Sequence, residues 1–372
     1  MTNSAALVRS TIEAVVSAHA KCCGVSADAY LSTSIHHPMA ESKYLRTLSC
    51  IRMMNLMSAS KYDAEATKAI NRLRRSVSPA AKTGSAWGLR FAYKNTSKDE
   101  PYLITTAQIV TALIEAADLL CQPQEASELA RSGLLWLIEG IERRETVFGE
   151  RRLSVPIYSP GTERVVINAV AAWVEVLQRA SDAGIIDGFE DEIGSVADWV
   201  DSQWLPGIGW TYGPDSNVVD LLHQTYIIDA MTCVRGKGTQ SNRLFEIMTA
   251  FRTDRRYLDT SKVYQYSSYS PDANTFRSRR FNIHGDYVQI FSAADARPWS
   301  IGGLLGSLAD AWSAAGPDDE FWRSALSAAN EQAVQLAHSM LNEKFHLRDL
   351  THLSEGLARS LRVTRTFSGA TA

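Results

Sequence analysis

Between Ile104 and Leu120 the chain reads ITTAQIVTALIEAADLL, with apolar or small residues at every angular position of a helix. A helix with no wet face has to be covered on all sides. The next segment, Gln124 to Ile141, sets Leu129, Trp136 and Ile141 against Glu125, Glu128, Arg131 and Glu139, which gives one apolar stripe and one solvated face. The same alternation continues along the chain. Val165–Leu177 (VVINAVAAWVEVL), Val218–Val234 (VVDLLHQTYIIDAMTCV) and Trp299–Trp312 (WSIGGLLGSLADAW) are apolar nearly all round, while Glu190–Trp204, Arg243–Phe251 and Phe321–Leu341 are amphipathic. Met39–Met57 followed by Ala64–Leu73 reads as an earlier pair, and Ser4–Ala20 as an additional N-terminal helix.

Buried helices thus recur about every 50–60 residues, the period of a helix-hairpin array. An open array leaves one helix layer partly wet, whereas closure buries that layer completely. The all-round apolar helices therefore predict an all-α fold of the α/α-toroid kind, with an inner barrel of buried helices and an outer barrel of amphipathic ones. One toroid domain is expected over 1–372, with 343–372 as a C-terminal extension or tail. The segment from about 255 to 298 lacks a helical period, is rich in Tyr, Ser, Asp and Arg, and has room for a short hairpin. Such a segment forms either a moving lid or a fixed wall.

The composition narrows the function. At 372 residues with 45% hydrophobic and 21% charged, the chain can build a large core. Lys+Arg 38 against Asp+Glu 41 gives a net charge of -3, so there is no overall attraction to nucleic acid or anionic lipid. No apolar run reaches the ~20 residues of a membrane span, and Met1–Ser10 lacks a basic region followed by an apolar stretch. A soluble, cytoplasmic protein is expected, with its oligomeric state open. Cys22, Cys23, Cys50, Cys121 and Cys233 include no CxxC pair. They read as mostly buried free thiols, with neither a metal site nor a cofactor implied.

In a closed double ring all inner helices run the same way, so their N-termini open on one face. The segments leading into the buried helices are polar or aromatic, and they predict one shared cavity. Asp220, His223 and Gln224 are spaced i, i+3, i+4, which on a helix puts them on one face. Asp220 and His223 are candidates for acid and base, the carboxylate fixing the tautomer of an imidazole that titrates near neutrality. The competing reading makes Asp220 a brace between helices and has His223 satisfy a backbone carbonyl. His284, in the irregular segment, is a further catalytic candidate. Trp87, Trp210, Tyr212 and Trp299 form an aromatic set suited to sugar faces, apolar rings or cations, and also suited simply to plugging helix ends. Arg90, Arg164, Arg277, Arg279, Arg280 and Arg297 suit a carboxylate or phosphate or a solvated patch.

Several of these motifs occur in a recognisable order. They are Trp87-Gly88 with the aromatic turn ending at Tyr93, Thr105-Thr106, Tyr158-Ser159-Pro160 before a helix holding Asn168, Gly209-Trp210-x-Tyr212-Gly213, Asp220-x-x-His223 and Arg297-x-Trp299. As an ordered set over Trp87–Trp312 they resemble a bacterial family of α/α-toroid proteins encoded with exopolysaccharide, capsule and O-antigen biosynthesis enzymes. That fold is similar to terpenoid-cyclase-like and polysaccharide-lyase or epimerase toroids. The resemblance implies a carbohydrate-active protein of polysaccharide biosynthesis or modification with a saccharide or other small-molecule ligand. Asp220, His223 and His284 would be catalytic, and Trp87, Arg90, Tyr93, Thr106, Asn168, Trp210, Tyr212, Gln224, Arg297 and Trp299 would bind substrate. The alternatives are a non-catalytic carbohydrate-binding or assembly factor and a terpenoid-cyclase-like enzyme.

Overall fold

The computed structural model describes residues 2–28, 31–93, 96–206, 209–216, 218–252, 262–270, 275–277, 289–292, 298–342 and 346–369. Twelve α-helices lie among them. They are α1 (Thr2–Lys21), α2 (Pro38–Met53), α3 (Ala59–Arg75), α4 (Leu103–Ala117), α5 (Gln124–Leu135), α6 (Ile167–Asp182), α7 (Glu190–Ser202), α8 (Leu221–Arg235), α9 (Lys237–Arg252), α10 (Pro298–Ala315), α11 (Glu320–Asn342) and α12 (Leu347–Phe367). The even-numbered helices pack in the order α2, α4, α6, α8, α10, α12 and back onto α2. The odd-numbered helices surround them: α3 lies on α2, α5 on α4, α7 on α6, α9 on α8 and α10, α11 on α10 and α12, and α1 on α11 and α12. The chain is an α/α toroid, and the two helix kinds read from the sequence are its two layers.

Short strands decorate the helical frame: β1 (Val25–Asp28), β2 (Leu31–His36), β3 (Arg143–Phe148), β4 (Arg151–Pro156), β5 (Trp204–Leu205), β6 (Gly209–Trp210), β7 (Val218–Asp220), β8 (Lys262–Ser270), β9 (Thr275–Arg277) and β10 (Gln289–Ser292). Three antiparallel pairs, β1–β2, β3–β4 and β5–β6, fall in connections that lead from an outer to an inner helix. The return connections are short, and α8 turns into α9 through Gly236 alone, at φ +86°, a left-handed position that glycine takes without a Cβ penalty. One rim of the toroid is therefore built up and the other is trimmed.

The structure corrects two expectations, the start of one inner helix and the role of the C-terminal stretch. The helix expected over Val218–Val234 begins only at Leu221, because Val218 and Val219 are β-branched and join a strand, Val218 facing Ser268 and Asp220 facing Tyr266. Within the segment 255–298, where the sequence left room for a short hairpin, the described stretches are β8, β9 and β10, which form an antiparallel sheet with β7. The C-terminal stretch 343–372, read as an extension, contains α12, the inner helix that closes the ring between α10 and α2. Its buried Arg348, Asp349, His352 and Glu355 hide it from a search for apolar helices.

Of these, Glu355 belongs to a network of ion pairs within the barrel. Lys43 and Arg46 of α2 reach Glu355 at 2.8 and 2.7 Å. Arg46 also binds Glu115 at 2.9 Å, and Arg179 bridges Glu115 and Glu175 at 3.2 and 2.9 Å. Arg359 joins Asp229 and Asp310 at 2.6 and 2.7 Å. Around this polar axis the inner helices bury Leu45, Leu48, Val110, Leu113, Val170, Trp173, Ile227, Leu304, Leu353 and Leu357. Another buried carboxylate, Glu41, ties α1, β2 and α3 to α2 through His19, His36 and Arg72 at 3.2, 3.3 and 2.8 Å.

Glycines set the closest helix approach. A Cβ on Gly302 would lie 2.2 Å from the carbonyl oxygen of His352, and one on Gly356 would lie 2.2 Å from that of Gly302. Backbone cannot yield as a side-chain tip can, so G302A and G356A are each expected to destabilise by about 1–3 kcal/mol or more. In α7 an added methyl at Gly194 meets nothing within 4 Å, and G194A is expected to be neutral or stabilising by up to ~1 kcal/mol. Urea midpoints of the three variants check this.

Among the described residues no helix is long and apolar enough to cross a membrane. All five cysteines are free thiols, but only Cys50 is buried, and Cys23 and Cys121 are exposed, a correction to the expectation of mostly buried thiols.

Candidate functional site

The first turns of the six inner helices converge on a cavity of about 1520 Å³. Its wall takes His37 and Met39 from the start of α2, Ile104 and Thr105 from α4, and Val166 and Asn168 from α6. Leu222, His223 and Tyr226 come from α8, Trp299 from α10, and Arg348 and His352 from α12. The built-up rim adds Arg144, Glu145 and Thr146 of β3, with Glu163, Arg164 and Asp215 from connecting loops. Those carboxylates and arginines of the rim are exposed, whereas the inner wall is buried histidine, arginine and tyrosine.

The chemistry of the inner wall follows from its hydrogen bonds. His352 Nδ1 lies 2.6 Å from the carbonyl oxygen of Arg348 one turn earlier. A carbonyl only accepts, so Nδ1 carries the proton and, in a neutral ring, Nε2 is an acceptor. The Tyr226 hydroxyl donates to that Nε2 at 2.8 Å. Burial, and after it the charge of Lys43, pushes the His352 imidazole down to about 3, so the ring is neutral near pH 7. His37 is likewise held well below the usual histidine range by burial and by the Arg348 charge. The Arg348 guanidinium donates to His37 Nε2 at 3.3 Å and stacks 4.2 Å from the centre of the Trp299 ring. Burial and the charge of Glu355 raise the Tyr226 phenol, which keeps it protonated. His223 is half-buried at the wall, its ring 4.8 Å from that of Tyr212 in an edge arrangement.

Of the residues singled out from the sequence, Tyr93, Asn168, Tyr212, His223 and Trp299 line the cavity. Asp220 ends β7 one residue before α8, so it does not share a helix face with His223 and Gln224, and its side chain lies outside the described residues. His284 and Arg297 lie outside them altogether, as do Arg279 and Arg280. Arg164 stands on the rim.

The remaining sequence candidates sit behind the wall. Trp87 is fully buried and donates its indole N–H to the Leu73 carbonyl at 2.8 Å, and Trp210 does the same to Val200 at 2.8 Å. An indole with a buried backbone partner is a core plug. Gln224 turns its amide to the Trp210 backbone, accepting at 2.8 Å and donating at 2.6 Å. The Thr106 hydroxyl lies 3.0 Å from the Trp87 backbone N–H. Arg90 is paired with Asp99 at 2.7 Å. These five do not line the cavity.

The sequence reading missed His37, Tyr226, Arg348 and His352. Two signals pointed to them: His36-His37-Pro38 opening α2, with proline at the first helical position, and the i, i+4 pair Arg348 and His352.

No family model matches the chain, and no curated protein sequence matches it significantly. Solved structures do match. The GH76 α-mannanase of Bacteroides thetaiotaomicron superimposes with a TM-score of 0.58 at 9% identity, over 98% of this chain and 97% of the other. The cellobiose 2-epimerase of Spirochaeta thermophila gives 0.58 at 11% identity over 88% and 86%. A D-mannose isomerase gives 0.56 at 12% identity over 88% and 87%. At such identities the likeness is one of fold, and it agrees with the toroid described above.

Proposed function

We propose that this chain is a carbohydrate-active enzyme that moves a proton on a saccharide, in the manner of an epimerase, isomerase or lyase. The observation that carries the reading is the cavity, in which half-buried His223 shares the wall with buried Arg348 and with Tyr93, Asn168, Tyr212 and Trp299. His223 is the proton-transfer group. Arg348 offsets negative charge on a substrate carboxylate or on an oxygen that becomes anionic when the adjacent C–H proton leaves. Tyr212 and Trp299 offer flat faces to sugar rings. At about 1520 Å³ the cavity exceeds the ~300–1,000 Å³ of most small-ligand pockets, which fits more than one sugar ring and the polysaccharide setting implied by the sequence resemblance.

Hydrolysis by paired carboxylates fits less well. Among the described residues the carboxylates lining the cavity are Glu145, Glu163 and Asp215, all exposed on the rim. A terpenoid cyclase would need an apolar pit below a polar rim, whereas the inner wall here holds His37, Arg348 and His352 above buried ion pairs. The test is incubation of the protein in D2O with D-mannose, cellobiose and an oligouronide, followed by proton NMR. Loss of a ring C–H signal adjacent to a carbonyl or carboxylate supports the reading. Binding of these sugars with no exchange and no new product would make the chain a binding factor instead.

A further inference from the structure

Resting on that reading, we propose that Tyr226 is a catalytic residue that donates a hydrogen bond to the substrate carbonyl oxygen as the neighbouring proton is removed, and that His352 is the positioning residue that aims it. Tyr226 lines the cavity from the first turns of α8, and its hydroxyl is already directed by a 2.8 Å bond to His352 Nε2. The acceptor is itself fixed, because the Arg348 carbonyl dictates which ring nitrogen carries the proton.

The packing around the pair is an independent observation. Tyr226 and His352 come from α8 and α12, which both pack on α10. Where α10 meets Thr225 of α8 and the His352 backbone of α12, its residues are Gly303 and Gly302. A Cβ on Gly303 would lie 2.3 Å from Thr225 Oγ1, and one on Gly302 would lie 2.2 Å from the His352 carbonyl oxygen. Side chains on that face of α10 would hold the two helices apart and break the contact. Lys43, whose Nζ stands 5.2 Å from the centre of the Tyr226 ring and 2.8 Å from Glu355, braces the phenol from beneath.

The step balances as follows. An imidazole nitrogen of His223 takes the proton from the carbon next to the carbonyl. The C–H electron pair becomes the carbon–carbon double bond, and the carbonyl π pair moves onto oxygen. The Tyr226 hydroxyl turns from His352 to that oxygen, sharing its negative charge with Arg348 and remaining a phenol. Return of the proton from the His223 imidazolium to the same face of that carbon restores the substrate, return to the opposite face, once the planar intermediate has turned that face toward His223, gives the epimer, and return to the former carbonyl carbon, with the hydroxyl proton relayed between the oxygens, gives the isomer. No other reactant is consumed.

The experiment uses the full chain and the D2O exchange assay with the sugar that wild type turns over. Y226F removes one oxygen and is expected to lower kcat by about 10²–10³-fold, with KM changed less than about threefold and the melting temperature retained. H352Q, whose amide oxygen can still accept from the phenol, is expected to keep more activity than H352A. Long-range ¹⁵N–¹H NMR on wild type at pH 7 is expected to show His352 neutral and protonated on Nδ1, with the Nε2 signal displaced in Y226F. A Y226F enzyme within about threefold of wild-type kcat, or a His352 protonated on Nε2, overturns the assignment and leaves the sugar reading standing. Equal losses in H352Q and H352A overturn the positioning role alone. Absence of exchange in wild type with every sugar overturns the sugar reading, and this role with it.

Discussion

Replacing His223 by alanine is expected to reduce sugar C–H exchange by about 10²–10⁴-fold, the usual worth of a general acid–base group, while saccharide affinity measured by calorimetry stays within about threefold. The side chain is half-buried at the cavity wall, with its ring edge-on to that of Tyr212. Truncation therefore leaves the ring of helices intact. A binder would show unchanged affinity with no exchange in wild type or variant. An enzyme whose base lies elsewhere would keep its rate in H223A, and that result would remove His223 from the mechanism.

The second large effect concerns stability. Glu355 is buried on the barrel axis between Lys43 and Arg46, at 2.8 and 2.7 Å. E355A leaves two cations in the interior without this carboxylate, and removing one partner of such a group costs about 3–5 kcal/mol. The urea midpoint should fall accordingly, with a secondary loss of activity because Lys43 underlies Tyr226. The same carboxylate predicts an acid limb. Burial alone would raise it, but Arg46 and Lys43 outweigh burial and hold it at about 2 against an ordinary 4.5. A depressed carboxylate contributes fully above the unfolded value and loses that contribution as pH falls toward the folded one. Wild type should therefore lose stability between about pH 4.5 and 2, whereas E355Q, less stable throughout, should show a flatter profile there. Parallel profiles for the two proteins would rule out Glu355 as the source of the acid limb.

The toroid was legible because α4, α6 and α10 carry apolar or small residues on every face, and such helices have no stable place except inside another layer. The site was legible only in part. Once the ring closes, helix starts must converge, and on that logic Asn168, Tyr212, His223 and Trp299 were expected at one cavity, which they line. Trp87 and Trp210 follow the same pattern in one dimension, yet their indole N–H groups each found a buried carbonyl one helix outward, and nothing in the spacing distinguishes that outcome from a cavity lining. The opposite error hid α12. Its buried face carries Glu355, whose counter-charges Lys43 and Arg46 sit on α2 at the other end of the chain, and its Arg359 reaches Asp229 across 130 positions. A partner that distant is invisible to any local window, so the polarity read as solvent exposure.

The ring is sealed where α12 meets α2, with α1 resting against α12. During synthesis the ribosome releases α2 long before α12, so one edge of the growing barrel must wait unsealed while some three hundred residues emerge behind it. Folding is then dominated by the slowest class of contact, that between distant parts of the chain. Because Arg348 and His352 ride on α12, the cavity wall lacks these two side chains until that seam has closed.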